Sequence, residues 1–131
     1  MTREAPRLPH AAPFLLLDRV LEVGERTGAF IKLVSAADPC VAGGRLPAAF
    51  VLEALAQAGG ALLAAHHDGH PGGYLAAVDD FHMLDDVRVG DTLRVDVEIV
   101  RQLGGATFFR GRACVGERAC AQGRFTLKTP R

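Results

Sequence analysis

The clearest pattern in the chain is an apolar run at 48–65, which reads AAFVLEALAQAGGALLAA. Eighteen residues of this kind are long enough to cross a membrane. Glu53, Gln57 and the pair Gly59-Gly60 interrupt the run, however, and no second apolar span exists. A helix that is apolar on nearly every side is otherwise typical of one buried by protein. The pattern therefore predicts a buried helix and no membrane span.

The ends of this helix are marked by residues with known positional preferences. Pro47 suits the first helical position, where its missing N–H is no loss. The segment DGHPGG at 68–73 is typical of a loop. We therefore expect the helix to begin at Pro47 and to end near His66 and His67.

Downstream of the helix the period of the pattern changes to two. Apolar and charged residues alternate strictly at 93–99, and the alternation recurs at 109–115 and 118–128. Each run predicts a strand with one wet and one dry face, as in antiparallel sheets. Glycine-containing segments at 103–105 and 115–117 predict hairpin turns. Further strands are predicted at 15–23, 28–35 and 74–81. The whole pattern predicts an α+β fold, with an antiparallel sheet of five or six strands wrapped around one long buried helix.

Composition narrows the class of protein. A chain of 131 residues is expected to form a single domain, 1–131. Its 15 basic and 15 acidic side chains give no net charge, which argues against a nucleic-acid binder. Residues 85–131 carry 9 basic and 6 acidic groups, so this half could meet an acidic partner or could form solvated strand faces. The N-terminus has no signal-peptide pattern.

Three cysteines form no CxxC pair and leave an odd thiol: Cys40, Cys114 and Cys120. This disfavours a disulfide framework and a zinc site, and it indicates a reduced, cytoplasmic protein with free thiols. We expect these cysteines to be half-buried strand residues and not nucleophiles. No metal ion or cofactor is predicted.

Glu53 is the strongest candidate for chemistry, because it is the one charged residue of the predicted helix. Gln57 follows at i+4, on the same helix face, and could orient the carboxylate. Burial disfavours the charged form of a carboxylate, which makes a proton donor available near neutral pH. The alternatives are a core glutamate held by hydrogen bonds and one that faces a subunit interface.

Several motifs resemble the 3-hydroxyacyl-acyl-carrier-protein dehydratases. They are LPHAAPFLLLDRVLEV at 8–23, LPAAFVLEALAQAGG at 46–60, Phe81, and GDTL at 90–93. The resemblance extends over about residues 8–125, and it implies the hotdog fold, in which an antiparallel sheet wraps around a helix. It implies further that Glu53 is the catalytic acid, that substrate is bound by Gly43, Gly44, Leu46, Pro47 and Phe81, and that the protein is a dimer whose sites use both chains.

The chain departs from this family in the loop before the helix. Catalytic members carry Gly-His-Phe-Pro-Gly there, whereas this sequence reads Ala-Gly-Gly-Arg-Leu-Pro at 42–47 and is shorter. The catalytic histidine is therefore absent, and Arg45 cannot replace it because a guanidinium stays protonated. The segment is similar to a dehydratase-like subgroup that has Gly-x-Leu-Pro and is associated with aryl-polyene and other polyene-type fatty acid biosynthesis.

Another histidine could supply the base. His82 follows Phe81 at a strand end and could reach a pocket. His10 belongs to the family's Leu-Pro-His motif and is expected to be structural. His66, His67 and His70 cluster at the end of the helix, where a cation meets the negative end of the dipole.

Three functions remain open. The first is an active dehydratase of acyl-carrier-protein or acyl-CoA thioesters, with a base from His82 or a partner subunit. The second is a thioesterase in which Glu53 activates water or attacks the thioester. The third is a non-catalytic subunit that pairs with an active dehydratase. An open sheet edge and an apolar helix predict a dimer, and we favour a homodimer over a heterodimer with a related dehydratase.

Overall fold

The computed structural model describes residues 15–66 and 73–129. They form one helix and six strands, which follow the chain in the order β1 (Arg19–Val23), β2 (Thr27–Leu33), α1 (Ala48–His66), β3 (Tyr74–Met83), β4 (Thr92–Leu103), β5 (Ala106–Val115) and β6 (Arg118–Lys128). The predicted helix and all six predicted strands are present. The helix begins one residue later than expected, because the Pro47 carbonyl accepts the first helical hydrogen bond, from Val51 N–H at 3.1 Å.

All strands lie in one antiparallel sheet with the order β1-β2-β4-β5-β6-β3. The connection that carries α1 separates β2 from β3, so β3 lies at the far edge of the sheet, next to β6 alone. Helix α1 packs across one face of the sheet, against β2 to β6. The opposite face of the sheet, which we call the outer face, carries charged residues.

The core lies between α1 and the sheet. Its largest fully buried side chains come from both layers, and they include Phe30, Phe109, Phe125, Leu55, Leu62, Leu63, Leu93 and Leu127. Burial of each such side chain contributes about 1.5–3 kcal/mol. Two glycines allow the layers to approach closely. Gly59 of α1 lies over the stacked rings of Phe109 and Phe125, and Gly111 of β5 lies under Leu55.

Helix α1 is long and apolar enough to cross a membrane, but 67% of its most apolar 18-residue stretch is buried inside the fold. Its residues from Ala54 to Ala64 are all buried. The prediction of a buried core helix is confirmed.

Candidate functional site

Glu53 lies in the half of α1 that the sheet does not cover completely. Its side chain is half-buried, and Ala48, Ala49 and Phe50 in the preceding turn are exposed. The carboxylate therefore sits at the boundary between an apolar core and an open side of the helix. This differs from a fully buried glutamate, and it leaves Glu53 accessible to a substrate or a second chain.

Gln57 is buried one turn further along the helix, with 2% of its surface exposed. Its Oε1 accepts a hydrogen bond of 2.8 Å from the backbone N–H of Leu16, just before β1. The side-chain amide therefore has a fixed orientation on the face it shares with Glu53. This arrangement suits the predicted orienting role, which stays a prediction.

The segment that precedes α1 is a two-residue turn at Gly43 and Gly44. Both glycines have positive φ, 61° and 75°, and the backbones of Ala42 and Arg45 exchange hydrogen bonds of 2.9 and 3.2 Å across them. Two successive positive φ values define a type I′ turn, which glycine adopts without strain. No atom lies within 4 Å of a Cβ built at either position. The turn is therefore an exposed tip.

This turn is held against the segment that leads from β3 to β4. Val89 N–H donates to the Gly44 carbonyl at 3.0 Å, and Leu46 N–H donates to the Val87 carbonyl at 2.8 Å. Leu46 is buried, and Pro47 is half-buried at the start of α1. The structure thus places Gly43, Gly44, Leu46 and Pro47 just before the N-terminal end of α1.

The structure does not bring His82 to this site. Phe81 and Met83 pack against the core, so His82 between them projects from the outer face of β3. Its Nε2 lies 2.5 Å from Asp80 Oδ1, and 62% of its side chain is exposed. The alternation of β3 is the signal that could have shown this, because an inward Phe81 makes His82 point outward.

Among the described residues, neither His66 nor the cysteines show a contact with Glu53. His66 Nε2 lies 2.9 Å from the Gly24 carbonyl, between the end of α1 and the β1–β2 turn; His10, His67 and His70 fall outside the described residues. All three thiols are free, as expected. Burial raises the pKa of Cys40 and of Cys120, so these thiols stay protonated. Cys40 lies in a loop, not in a strand as expected.

A buried ion pair escaped the sequence reasoning. Lys32 of β2 is 3% exposed, and its Nζ donates to Asp38 Oδ2 at 2.6 Å. Asp38 Oδ1 also accepts the Cys40 N–H at 2.9 Å. The pair therefore anchors the loop between β2 and the Gly43-Gly44 turn. The sequence contains one signal of this pair. Lys32 lies between Phe30 and Val34, on the predicted buried face of a strand, where a lysine needs an acidic partner.

Comparison with known proteins gives one family and one fold. The family model described as ApeP-like, ApeP dehydratase, matches residues 4–131. A 3-hydroxyacyl-[acyl-carrier-protein] dehydratase FabZ of Actinobacillus succinogenes is 42% identical over 123 residues, with 86% of this chain and 81% of that protein covered. FabZ of Variovorax paradoxus is 41% identical over 126 residues, with 86% and 83% covered.

Solved structures agree with the topology. The dehydratase heterocomplex ApeI:P from Xenorhabdus doucetiae is similar with a TM-score of 0.89 and 24% identity, covering 98% of this chain and 93% of that one. Zebra fish thioesterase superfamily member 2 gives 0.75 and 14%, covering 93% and 88%. At these identities the similarity shows the fold alone. It confirms the predicted hotdog fold.

Proposed function

Because the chain belongs to the ApeP-like family of dehydratases, we propose that it supplies the carboxylate half of a two-chain site for 3-hydroxyacyl and enoyl thioesters. One observation carries this proposal. Glu53 is held at an open side of α1, while the preceding loop is a bare two-glycine turn. The acid of the reaction is present and the loop at 42–47 contains no histidine, which supports a site completed by a second chain.

The chemistry divides between the two chains as follows. Loss of water from a 3-hydroxyacyl thioester requires a base for the C2 proton and an acid for the departing C3 hydroxyl. Glu53 donates its proton to that hydroxyl, and water leaves. The positive end of the α1 dipole, at Ala48 and Ala49, stabilises the negative charge that develops on the thioester oxygen. The loop at 42–47 supplies no histidine, and the base proposed for the C2 proton is a histidine of the partner.

The partner we propose is a related dehydratase that retains the loop histidine. The ApeI:P structure is, by its title, a dehydratase heterocomplex, which supports this kind of assembly here. The uncovered edge of β3 gives the second chain a place to join the sheet. Expressed alone, the chain forms a homodimer through the same edge.

The substrate class follows from the relatives. The FabZ proteins are named for acyl-carrier-protein thioesters of 3-hydroxyacyl chains, and the same class, or the matching acyl-CoA thioester, is proposed for this chain. The reaction needs no cofactor, because both proton transfers are made by side chains. The proposed setting is cytoplasmic fatty acid or polyene-type biosynthesis, without nucleic acid or membrane as a partner.

The decisive experiment combines this chain with a histidine-containing paralogue and 3-hydroxyacyl-carrier-protein, and follows the acyl mass. We expect water loss in the mixture and none with this chain alone. Glu53→Gln should abolish the water loss that depends on this chain, whereas Glu22→Gln, an exposed glutamate of β1, should leave it intact.

The outcomes separate the alternatives. Unchanged turnover with Glu53→Gln would overturn the proposal in favour of a non-catalytic stabilising subunit. Release of free acid by this chain alone, lost in Glu53→Gln, would identify a thioesterase.

A further inference from the structure

The outer face of the sheet carries three arginines on its two neighbouring strands β5 and β6. Arg110 and Arg124 face each other directly across the two strands, and Arg112 faces Gln122 in the next outward row. Like charges directly opposite each other in an antiparallel pair are destabilising. This arrangement therefore costs stability in the isolated chain, and an anion bound between the strands would remove that cost.

The neighbouring carboxylates do not fully neutralise this arginine cluster, which we define as Arg110, Arg112 and Arg124. Arg110 contacts Glu98 at 3.1 Å, and Arg124 lies 3.7 Å from Asp80. Both of those carboxylates are about half exposed, so the pairs are weak and exchangeable.

Arg112 is the member without an acidic partner among the described residues. Its cross-strand neighbour on β4 is Asp96. Both oxygens of Asp96 are already engaged by Arg94, at 3.0 to 3.2 Å. The guanidinium of Arg112 thus keeps its donors available on an exposed face.

A surface cavity of about 260 Å³ lies at this cluster. It is lined by Asp80, Arg110, Gly111, Arg112, Gln122, Gly123 and Arg124. Three guanidinium groups against Asp80 and the adjoining Glu98 leave a formal charge of +1 around the cavity. Gly111 and Gly123 both face away from the cavity. A Cβ on Gly111 would meet Leu55, and a Cβ on Gly123 would meet the backbone of β3.

We propose that this cavity is a binding site for a phosphate dianion, either free or as a phosphate monoester. A phosphate carries the charge that the lining lacks, and its oxygens match the planar, forked donors of arginine. Arg112 makes the principal contact, because it breaks no ion pair in doing so. Arg110, Arg124 and the Gln122 amide complete the site. It lies on the sheet face opposite α1 and is separate from Glu53.

The test is a titration of the full chain with inorganic phosphate, and separately with glycerol phosphate, followed by NMR of the arginine and glutamine side-chain N–H groups. Ionic strength is held constant with sodium chloride, because unspecific charge effects depend on it. We expect saturable shifts at Arg112 and Gln122. Saturation by glycerol phosphate as well identifies a monoester site, and saturation by inorganic phosphate alone identifies a site for the free ion.

Two variants decide whether the cavity is responsible. Arg112→Gln should weaken phosphate binding at least about tenfold, the loss of one charge-assisted contact. Arg101→Gln, an exposed arginine of β4 outside the cavity lining, should leave binding unchanged. Absence of saturation in the wild type, or equal weakening in both variants, would overturn the site. A dispersed spectrum of Arg112→Gln shows that the variant is folded.

Discussion

Lys32 and Asp38 are the ion pair with the least solvent exposure among the described residues, with 4% and 12% of their side chains accessible. The pair lies under the loop between β2 and the Gly43-Gly44 turn. A buried pair of this kind adds little net stability over an apolar pair, but loss of one partner leaves an uncompensated charge. Removal of either charge is therefore expected to destabilise the loop that leads into α1.

Asp38→Asn should destabilise the protein by about 3–5 kcal/mol, because the Lys32 ammonium loses its carboxylate while staying buried. The double variant Lys32→Met/Asp38→Asn should recover most of this loss, since no buried charge remains. Urea unfolding of the two single variants and the double variant measures the coupling. A double variant no more stable than Asp38→Asn would contradict the interpretation.

The same pair predicts a dependence of stability on pH. Burial by itself raises the pKa of Asp38, but the hydrogen bonds from Lys32 and Cys40 outweigh it, and the net pKa is lowered. A carboxylate with a lowered pKa in the folded state stabilises the fold above its unfolded pKa of about 3.9, and this contribution is lost as pH falls through the folded value. The wild type should thus lose more stability than Lys32→Met/Asp38→Asn when unfolding is measured from neutral pH to acid.

Some residues of the candidate site are predictable from the sequence and others are not. Glu53 and Gln57 were found because a charge and an amide interrupt an apolar helix. His82 points to the outer face because it follows the core residue Phe81 in an alternating strand, so its position at a strand end does not bring it to the site. Lys32 was missed because its partner, Asp38, lies in a loop that has no periodic pattern.

At the scale of elements, the contact between α1 and the sheet depends on small residues. A Cβ at Gly59 would lie 3.1 to 3.3 Å from atoms of Phe125, Leu127 and Phe109. The rings of Phe109 and Phe125 stack with their centroids 5.1 Å apart and fill the core beneath the helix. A methyl group here therefore requires these side chains to shift by a few tenths of an ångström.

Gly59→Ala should destabilise the fold by about 1–3 kcal/mol through overpacking. This reverses the usual gain of about 1 kcal/mol from glycine to alanine in a helix. Ala65→Gly, at an exposed position of the same helix, reports the ordinary propensity cost. Thermal or urea unfolding checks both variants, and a stabilised Gly59→Ala would show that the layers can separate freely.

The elements themselves were largely predictable, because alternation and an apolar run are strong signals. Strand β6 was predicted with the bounds it has. The predicted alternation of buried and exposed residues breaks near the start of β6, where Cys120 is fully buried. The cause is a shift in the pairing register of β5 and β6 between Ala113 and Cys114. Strand β1 starts later than predicted, since Leu16 and Leu17 are both buried and break the alternation. Bulges and loop contacts of this kind have no periodic signature.

At the scale of the whole molecule, the open edge of β3 is the feature that no described part of the single chain covers. Every residue from Tyr74 to Asp79 is exposed, and the apolar ones include Tyr74, Leu75 and Val78. Unpaired edge strands with apolar side chains favour association with another chain.

We therefore predict that the chain alone is a dimer in solution. Light scattering should give about twice the chain mass of 13.9 kDa. Val78→Lys should shift the mass towards the monomer, because its side chain faces the α1 side at the open edge, where a lysine opposes strand addition. Val100→Lys is the matched control: Val100 is similarly exposed, 45% against 41%, but lies on the interior strand β4, so this variant should stay dimeric. A wild-type mass near 13.9 kDa would contradict self-association and leave the histidine-bearing partner as the one chain that covers the edge.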